Sequence, residues 1–418
     1  MISDEGLRVA RHLDATHLNN LLQQLSGFGA LPGGGVNRQA LSEEELDARE
    51  WIIGLAREMG CDIYTDAAAN LFLRRPGRTA LPPVTTGSHI DTQPCGGNFD
   101  GCYGVMAGLA CLQAMNDAEL VTERPVEVAI WTNEEGSRFA PGAMGSSAFV
   151  QPELLPAYQA AAGEDGTPFS DALAKCLARF KTLPQRPDRA MACFLELHIE
   201  QGPILEQRGL PLAVVSGIQG VRWYQVTCLG QSAHAGTTPM GLRQDAMSLA
   251  RAQAAHIEEV MGDTADEALR MTFGRWQVTP NAINTVAAQV SFTLDFRHPD
   301  PAVLAHLDAL MASLAGERIH ITPLLDKAPL AFDAPLNTLL GDVCHALDIP
   351  HTRLLSGAFH DAMHLAGHCP TSMLFVPSHK GISHNPEEYT DPRSLSVGAS
   401  ALACALTELA RSTKGVYA

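Results

Sequence analysis

Apolar residues recur at helical spacing over residues 5–26, where Leu7, Leu13, Leu18, Leu21, Leu22 and Leu25 predict one amphipathic helix. A Gly/Pro-rich break at 27–35 follows, and LSEEEL at 41–46 opens a second helix with capping chemistry. From there to about residue 214, short apolar runs alternate with helical stretches, the pattern of a mostly parallel sheet. Residues 151–190 read as a polar, helical excursion. Near 216–220 the rhythm changes. Beyond it the chain reads strand 221–229, helix 243–261, strand 269–278, strand 285–297, helix 301–315 and strand 317–323, a ferredoxin-like β-α-β-β-α-β order. The segment APLAFDAP at 328–335 returns the chain to where it left. The expected fold is therefore α/β. A mostly parallel, mixed-sheet domain is built from 1–215 and 330–418, and a ferredoxin-like α+β domain is inserted at 216–329. Two domains also suit 418 residues, since a single core stops growing at roughly 250–300.

Four strand-like runs deliver His, Asp or Glu just past their ends. The run at 83–88 leads into GSHIDTQPCGGNFDG at 87–101, where His89, Asp91 and Asp100 crowd a glycine-rich turn. Packing needs no such cluster, whereas imidazole and carboxylate together suit zinc, manganese, cobalt or nickel. The run at 126–131 ends in the adjacent carboxylates Glu134 and Glu135. Successive side chains at a strand end point in different directions, so one can bind metal while the other faces a substrate as a base. The run at 193–199 ends in His198, Glu200 and Gln201, and the run at 371–377 is followed by His379 and His384. In an open α/β sheet, ligands bind beyond the C-terminal strand ends.

Composition narrows the classes. With 46% hydrophobic and 18% charged residues, the chain is globular. A formal net charge of −17 argues against nucleic acid as a partner. The ten cysteines show no C-x-x-C spacing and sit mostly in apolar surroundings, as in a cytoplasmic protein with reduced thiols. Residues 1–8 lack a basic start and an apolar core, so no signal peptide is expected. No apolar run approaches ~18 residues, so no membrane span is expected either.

The motifs GSHIDTQP, GGNFDG, TNEEGSRF, ELHIEQGP, GQSAHAGTTPM, DFRHPD and SHKGISHNPEE, in this order from about residue 35 to about 390, resemble the M20-type metal-dependent amidohydrolases. Within these they are most similar to the hydantoinase/carbamoylase branch. That branch holds N-carbamoyl-L-amino-acid hydrolases, β-ureidopropionases and allantoate amidohydrolases. The resemblance implies two divalent ions per subunit (Zn2+, Mn2+, Co2+ or Ni2+), with His89 and His198 on one, Glu135 and His384 on the other, and Asp100 bridging. It implies Glu134 as general base, with the order within the motif favouring Glu134 over Glu135 for that role. His198 stands where peptidase relatives tend to carry a carboxylate. Asp91 is expected to orient the His89 ring through its other nitrogen. Gln201, Asn284, Arg297, Gly357 and His360 are implied substrate contacts, Arg297 and Asn284 at a substrate carboxylate. His234 is implied at the oxyanion, donated across the interface of a homodimer. The inserted domain would serve as lid and dimerisation domain.

Two features fit this picture less simply. HDAMHLAGH at 360–368 spaces His360, His364 and His368 along one helix face, a metal stripe by spacing that the dimetal site implied by the resemblance makes redundant. SGAFHD at 356–361 departs from the family's S-G-A-G-H-D by Phe359, which would reshape a pocket beside the substrate. The expected activity is hydrolysis of a linear C–N amide bond in an N-carbamoyl (ureido) carboxylate by a hydroxide bridging two metals. The expected substrate is an N-carbamoyl-L-amino acid or N-carbamoyl-β-alanine. Allantoate or ureidoglycolate amidohydrolase is the alternative on the same site, followed by an M20 peptidase or deacylase and by a non-catalytic metal-binding homologue.

Overall fold

The leucine stripe of residues 5–26 does not make one helix. Asp14 accepts hydrogen bonds from the Thr16 and His17 amides at 2.8 and 3.1 Å and starts a new helix, so the segment divides into Asp4–Arg11 and Ala15–Ser26. A local Asx cap overrides a continuous apolar periodicity. The computed structural model describes residues 2–163, 165–262 and 268–413; position 164 of the expected helical excursion and 414–418 of the expected last segment lie outside the described residues.

The strands are β1 (Asp62–Thr65), β2 (Leu71–Arg75), β3 (Val84–His89), β4 (Val126–Trp131), β5 (Cys193–Ile199), β6 (Leu212–Ile218), β7 (Gly220–Leu229), β8 (Arg270–Thr279), β9 (Gln289–His298), β10 (Ile319–Lys327), β11 (Leu330–Ala331), β12 (His351–Ser356) and β13 (Thr371–Val376). The chain divides into two compact units, Met1–Ser216 with Phe332–Ala418, and Gly217–Ala331.

In the first unit the sheet runs β1-β2-β4-β3-β5-β13-β6, with β12 on β6. Only the centre is parallel. β4, β3, β5 and β13 run the same way, whereas the β1–β2, β2–β4 and β13–β6 pairs are antiparallel. The sheet is mixed, as expected, with its parallel strands at the centre and antiparallel pairs on the flanks. The parallel strands are buried at every position, and their polar members, such as Thr86, Ser88, Glu127 and Glu196, are hydrogen-bonded inside the core. The helix Cys102–Asp117 is apolar all round and lies in this core against helix Pro392–Ala410.

The second unit orders its strands β10-β7-β9-β8, all antiparallel, with helices Ala246–Gly262 and Pro301–Leu314 after β7 and β9. This is the β-α-β-β-α-β alternation read from the sequence, with β10 running four residues further than expected past a register shift between Pro323 and Leu325. Its separate core centres on Val226, Phe292, Leu294, Phe296, Ile257 and Leu307. All ten cysteines are free, and nine are buried. Among the described residues, no helix is long and apolar enough to cross a membrane.

Candidate metal centre

Each candidate ligand owes its place to a strand end. β3 closes on His89, β5 carries His198 one residue before its end, and β4 and β13 feed the turns that hold Glu134–Glu135 and His384. Because β4, β3, β5 and β13 are parallel neighbours, these ends share one edge of the sheet. Asp100 returns over this edge just before helix Cys102–Asp117. Gly101 makes the return possible: its φ is +65°, and a β-carbon there would lie 2.3 Å from the His89 ring.

Asp100 is the centre of the cluster. Its Oδ1 lies 3.1 Å from His198 Nε2 and 3.8 Å from His89 Nε2. Its Oδ2 lies 3.1 Å from His384 Nε2, which is 3.3 Å from Glu135 Oε2. The two oxygens of one carboxylate therefore face two donor sets, His89 with His198 and Glu135 with His384. Two of the rings are oriented from behind. His89 Nδ1 bonds the Asp91 carbonyl at 2.9 Å, and His198 Nδ1 bonds the Ile199 carbonyl at 2.8 Å. A carbonyl only accepts, so each Nδ1 carries a proton and Nε2 is the ring atom that faces the Asp100 side, where it can offer a lone pair to a cation once deprotonated. Glu134 Oε2 stands 3.4 Å from His89 Nε2 and belongs to neither donor set.

The electrostatics suit cations. Burial and the charges of Asp361, Glu135 and Asp100 push Glu134 well above the usual carboxylate range. Burial and Asp100 push Glu135 up to about 8. Burial opposes charge on His198, yet the hydrogen bond and charge of Asp100, with Glu196, bring it up to about 9. The hydrogen bond to Asp100 raises His384 to about 9. Burial lowers His89 to about 4. Crowded carboxylates and the His198 and His384 rings thus hold protons that divalent ions would displace, and once these protons are gone three carboxylates against neutral imidazoles leave a negative charge for such ions to meet. The donor set fits two divalent cations.

Other expected site residues fall in different places. The Asp91 carboxylate does not take the second nitrogen of His89; its nearest oxygen is 3.7 Å away, while its own backbone carbonyl makes that bond. Its carboxylate instead accepts the Glu134 and Glu135 amides, each at 3.2 Å, and so holds the turn carrying both glutamates. Gln201 donates to Asp100 Oδ2 at 2.8 Å. His360 is 2% exposed and stacks edge-on against His198 at 4.6 Å, with Nε2 2.9 Å from Ser356 Oγ. It therefore backs a candidate ligand instead of facing open space, while Gly357 is exposed. The histidine stripe set aside above as redundant does not form. The helix here covers only Ala362–Leu365, and His368 bonds the Arg189 carbonyl at 2.7 Å.

In the second unit, His234 and Asn284 are exposed and brought together: the Ala235 amide donates to the Asn284 carbonyl at 3.0 Å, and His234 bridges to Thr285. Arg297 is not with them. It pairs with Val221 at the far end of β9 and holds Asp295 at 2.8 Å. Eight residues of strand separate Gln289 from Arg297, about 27 Å at the usual rise. Asn284 and Arg297 of one chain therefore do not reach the same small carboxylate.

Sequence reasoning missed Glu388. It is 4% exposed and accepts the Phe99 and Asp100 amides at 2.9 and 3.1 Å with one oxygen, and the Ser383 hydroxyl at 2.8 Å with the other. It ties Asp100 to the loop of His384. A β-carbon on Gly97 would overlap it. The glycine pair and the double glutamate of the last motif were the available signals. Gln93, which donates to Glu135 Oε2 at 2.7 Å, was missed too.

A mixed α/β unit that gathers histidines and carboxylates at its parallel strand ends is the layout of a metal-dependent hydrolase. Residues 85–408 match the model of peptidase family M20/M25/M40. The chain is 36% identical over 403 residues to an N-carbamoyl-L-amino acid amidohydrolase of Geobacillus stearothermophilus, covering 93% of this chain and 97% of that protein. It is equally 36% identical over 411 residues to allantoate amidohydrolase of Escherichia coli K12, covering 94% and 99%. A hydantoinase/carbamoylase family amidase from Burkholderia multivorans superposes with a TM-score of 0.88 at 40% identity, covering 96% of this chain and 98% of that one. The chain belongs to the M20 family, within its hydantoinase/carbamoylase amidases.

Proposed function

We propose that this chain hydrolyses the linear C–N bond of an N-carbamoyl (ureido) carboxylate, with an N-carbamoyl-L-amino acid or N-carbamoyl-β-alanine as substrate. The observation that carries the reading is Asp100, whose two oxygens face two separate donor sets beside a glutamate that belongs to neither. His89, His198 and Asp100 would hold one divalent ion, and Asp100, Glu135 and His384 the other. When bound, the ions supply Lewis acidity and make water acidic near neutral pH. Glu134 takes a proton from the attacking water and delivers it to the leaving nitrogen. Its raised proton affinity and burial suit both halves of that transfer. Asp91 holds Glu134 and Glu135 in place through their amides. Cleavage of an N-carbamoyl amino acid this way yields the amino acid, CO2 and ammonia.

His234 would stabilise the oxyanion, and Arg297 would bind the carboxylate through its planar fork. The strand length between the His234–Asn284 pair and Arg297 supports a homodimer, because two copies can present these groups to one substrate where a single chain does not. Ten free thiols support a reducing compartment, the cytoplasm. Allantoate is the second reading, favoured by the equal identity to an allantoate amidohydrolase.

Ammonia release by manganese-loaded protein separates these readings on a panel of N-carbamoyl-L-methionine, N-carbamoyl-β-alanine, allantoate and ureidoglycolate, with Glu134→Gln as control. Metal-dependent turnover of a carbamoyl amino acid, lost in the control, supports the first reading. Turnover of allantoate alone replaces it with the second.

A further inference from the structure

The two donor sets are built differently. His89 and His198 stand on strand ends, 2% and 1% exposed at the side chain, with both rings tied to backbone carbonyls. His384 is 49% exposed and sits on a loop with left-handed backbone at Lys380 (φ +54°), Gly381 (φ +68°) and His384 itself (φ +55°). L-residues populate that region sparsely, so the loop needs something to hold it. The short helix Ile204–Arg208 supplies it. One Glu206 oxygen accepts the Lys380 amide at 2.6 Å, and the other bonds His379 Nδ1 at 2.7 Å. Ser378 accepts the Gln201 amide at 2.9 Å, and Gly381 packs so tightly on Gly202 and Pro203 that a β-carbon would overlap them.

We infer that Glu206 is a positioning residue for one metal only: it clamps the His384 loop and thereby sets the affinity of the Asp100–Glu135–His384 position, leaving the His89–His198–Asp100 position untouched. The inference rests on the two-metal reading above. It makes the buried position the one filled first, and the clamped position the one whose occupancy responds to changes at the Glu206 surface. Glu388 differs, because it bonds both the Asp100 amide and Ser383, and so supports both positions.

The test is zinc binding to the full-length, metal-stripped protein, read as equivalents bound against chelator-buffered free zinc. Wild type, Glu206→Ala, Glu206→Gln, Lys380→Gly and Glu206→Ala/Lys380→Gly are compared, with His384→Ala as the one-site reference. Apo-state thermal unfolding serves as a folding check. In wild type two equivalents are expected. In Glu206→Ala the first step is unchanged, and the second weakens at least about tenfold toward the His384→Ala curve. Glu206→Gln, which keeps the size of the side chain, shows a smaller loss confined to the second step. Lys380→Gly removes the left-handed penalty and restores part of the second step in the double variant. Equal weakening of both steps, or no change in either, with two equivalents still binding wild type, overturns the clamp and leaves the two-metal reading standing. A single equivalent in wild type overturns both.

Discussion

The candidate metal centre of the first unit and the candidate substrate contacts of the second are built in two different ways. Around Asp100, the His89, His198, Asp100, Glu134 and Glu135 side chains are at most 10% exposed, and second partners aim them: two carbonyls, Asp91, Gln93, Gln201 and Glu388. In the second unit, His234 and Asn284 are exposed, and Arg297 lies a strand's length away from them. Chemistry that must hold metal ions and move a proton needs fixed geometry, which buried parallel strand ends supply. Groups that recognise a diffusing substrate stay open to solvent, and under the proposed function those of the second unit gain a common target through a second copy.

The comparison breaks first at Glu134. If it is the proton carrier and not a ligand, Glu134→Gln lowers kcat about 10³-fold while zinc stoichiometry stays that of wild type. Loss of an equivalent of zinc would make it a ligand. Gly101→Ala comes next. Its β-carbon meets the His89 ring, so metal content measured after gel filtration should fall along with about 10²-fold of activity.

On the second unit, Arg297→Ala should raise KM about 30-fold with kcat little changed, the loss of ~2 kcal/mol of charge-assisted hydrogen bonding. His234→Ala should lower kcat instead. Coexpressing these two variants should restore part of the activity through hybrid dimers that hold one intact site. Failure of complementation, with mixed dimers present, would sink the shared-site reading.

The smallest effect expected is on pH. His198 and His384, raised to about 9, and Glu135, raised to about 8, must lose protons before they bind metal. Protons compete with metal below these values. Affinity should therefore rise from pH about 6 to about 9, and zinc added at pH about 7 should release protons into weakly buffered solution. Affinity that falls with pH over this range would contradict the assigned ligands.

Much of the site was legible in the chain because its parts are local. An apolar run followed at once by His, Asp or Glu is visible as a string, and so is the glycine that lets Asp100 turn. The alternation over residues 221–323 was legible for the same reason, since period and length identify each element. The break at Asp14 is not visible in the leucine stripe, because two local hydrogen bonds to its carboxylate outweigh the apolar periodicity.

What the sequence determined by itself is the inventory: which residue types follow which strands, and the conformational freedom at Gly101. Tertiary structure alone decided how these residues are shared. Strand order made β4, β3, β5 and β13 neighbours and so gathered positions nearly 300 residues apart. It turned the Asp91 carboxylate to two amides, set Glu388 between Asp100 and Ser383, and placed Arg297 out of reach of Asn284. Hydrogen bonds and distances depend on which strands pair, and pairing is settled by the burial of whole faces, which no local string contains.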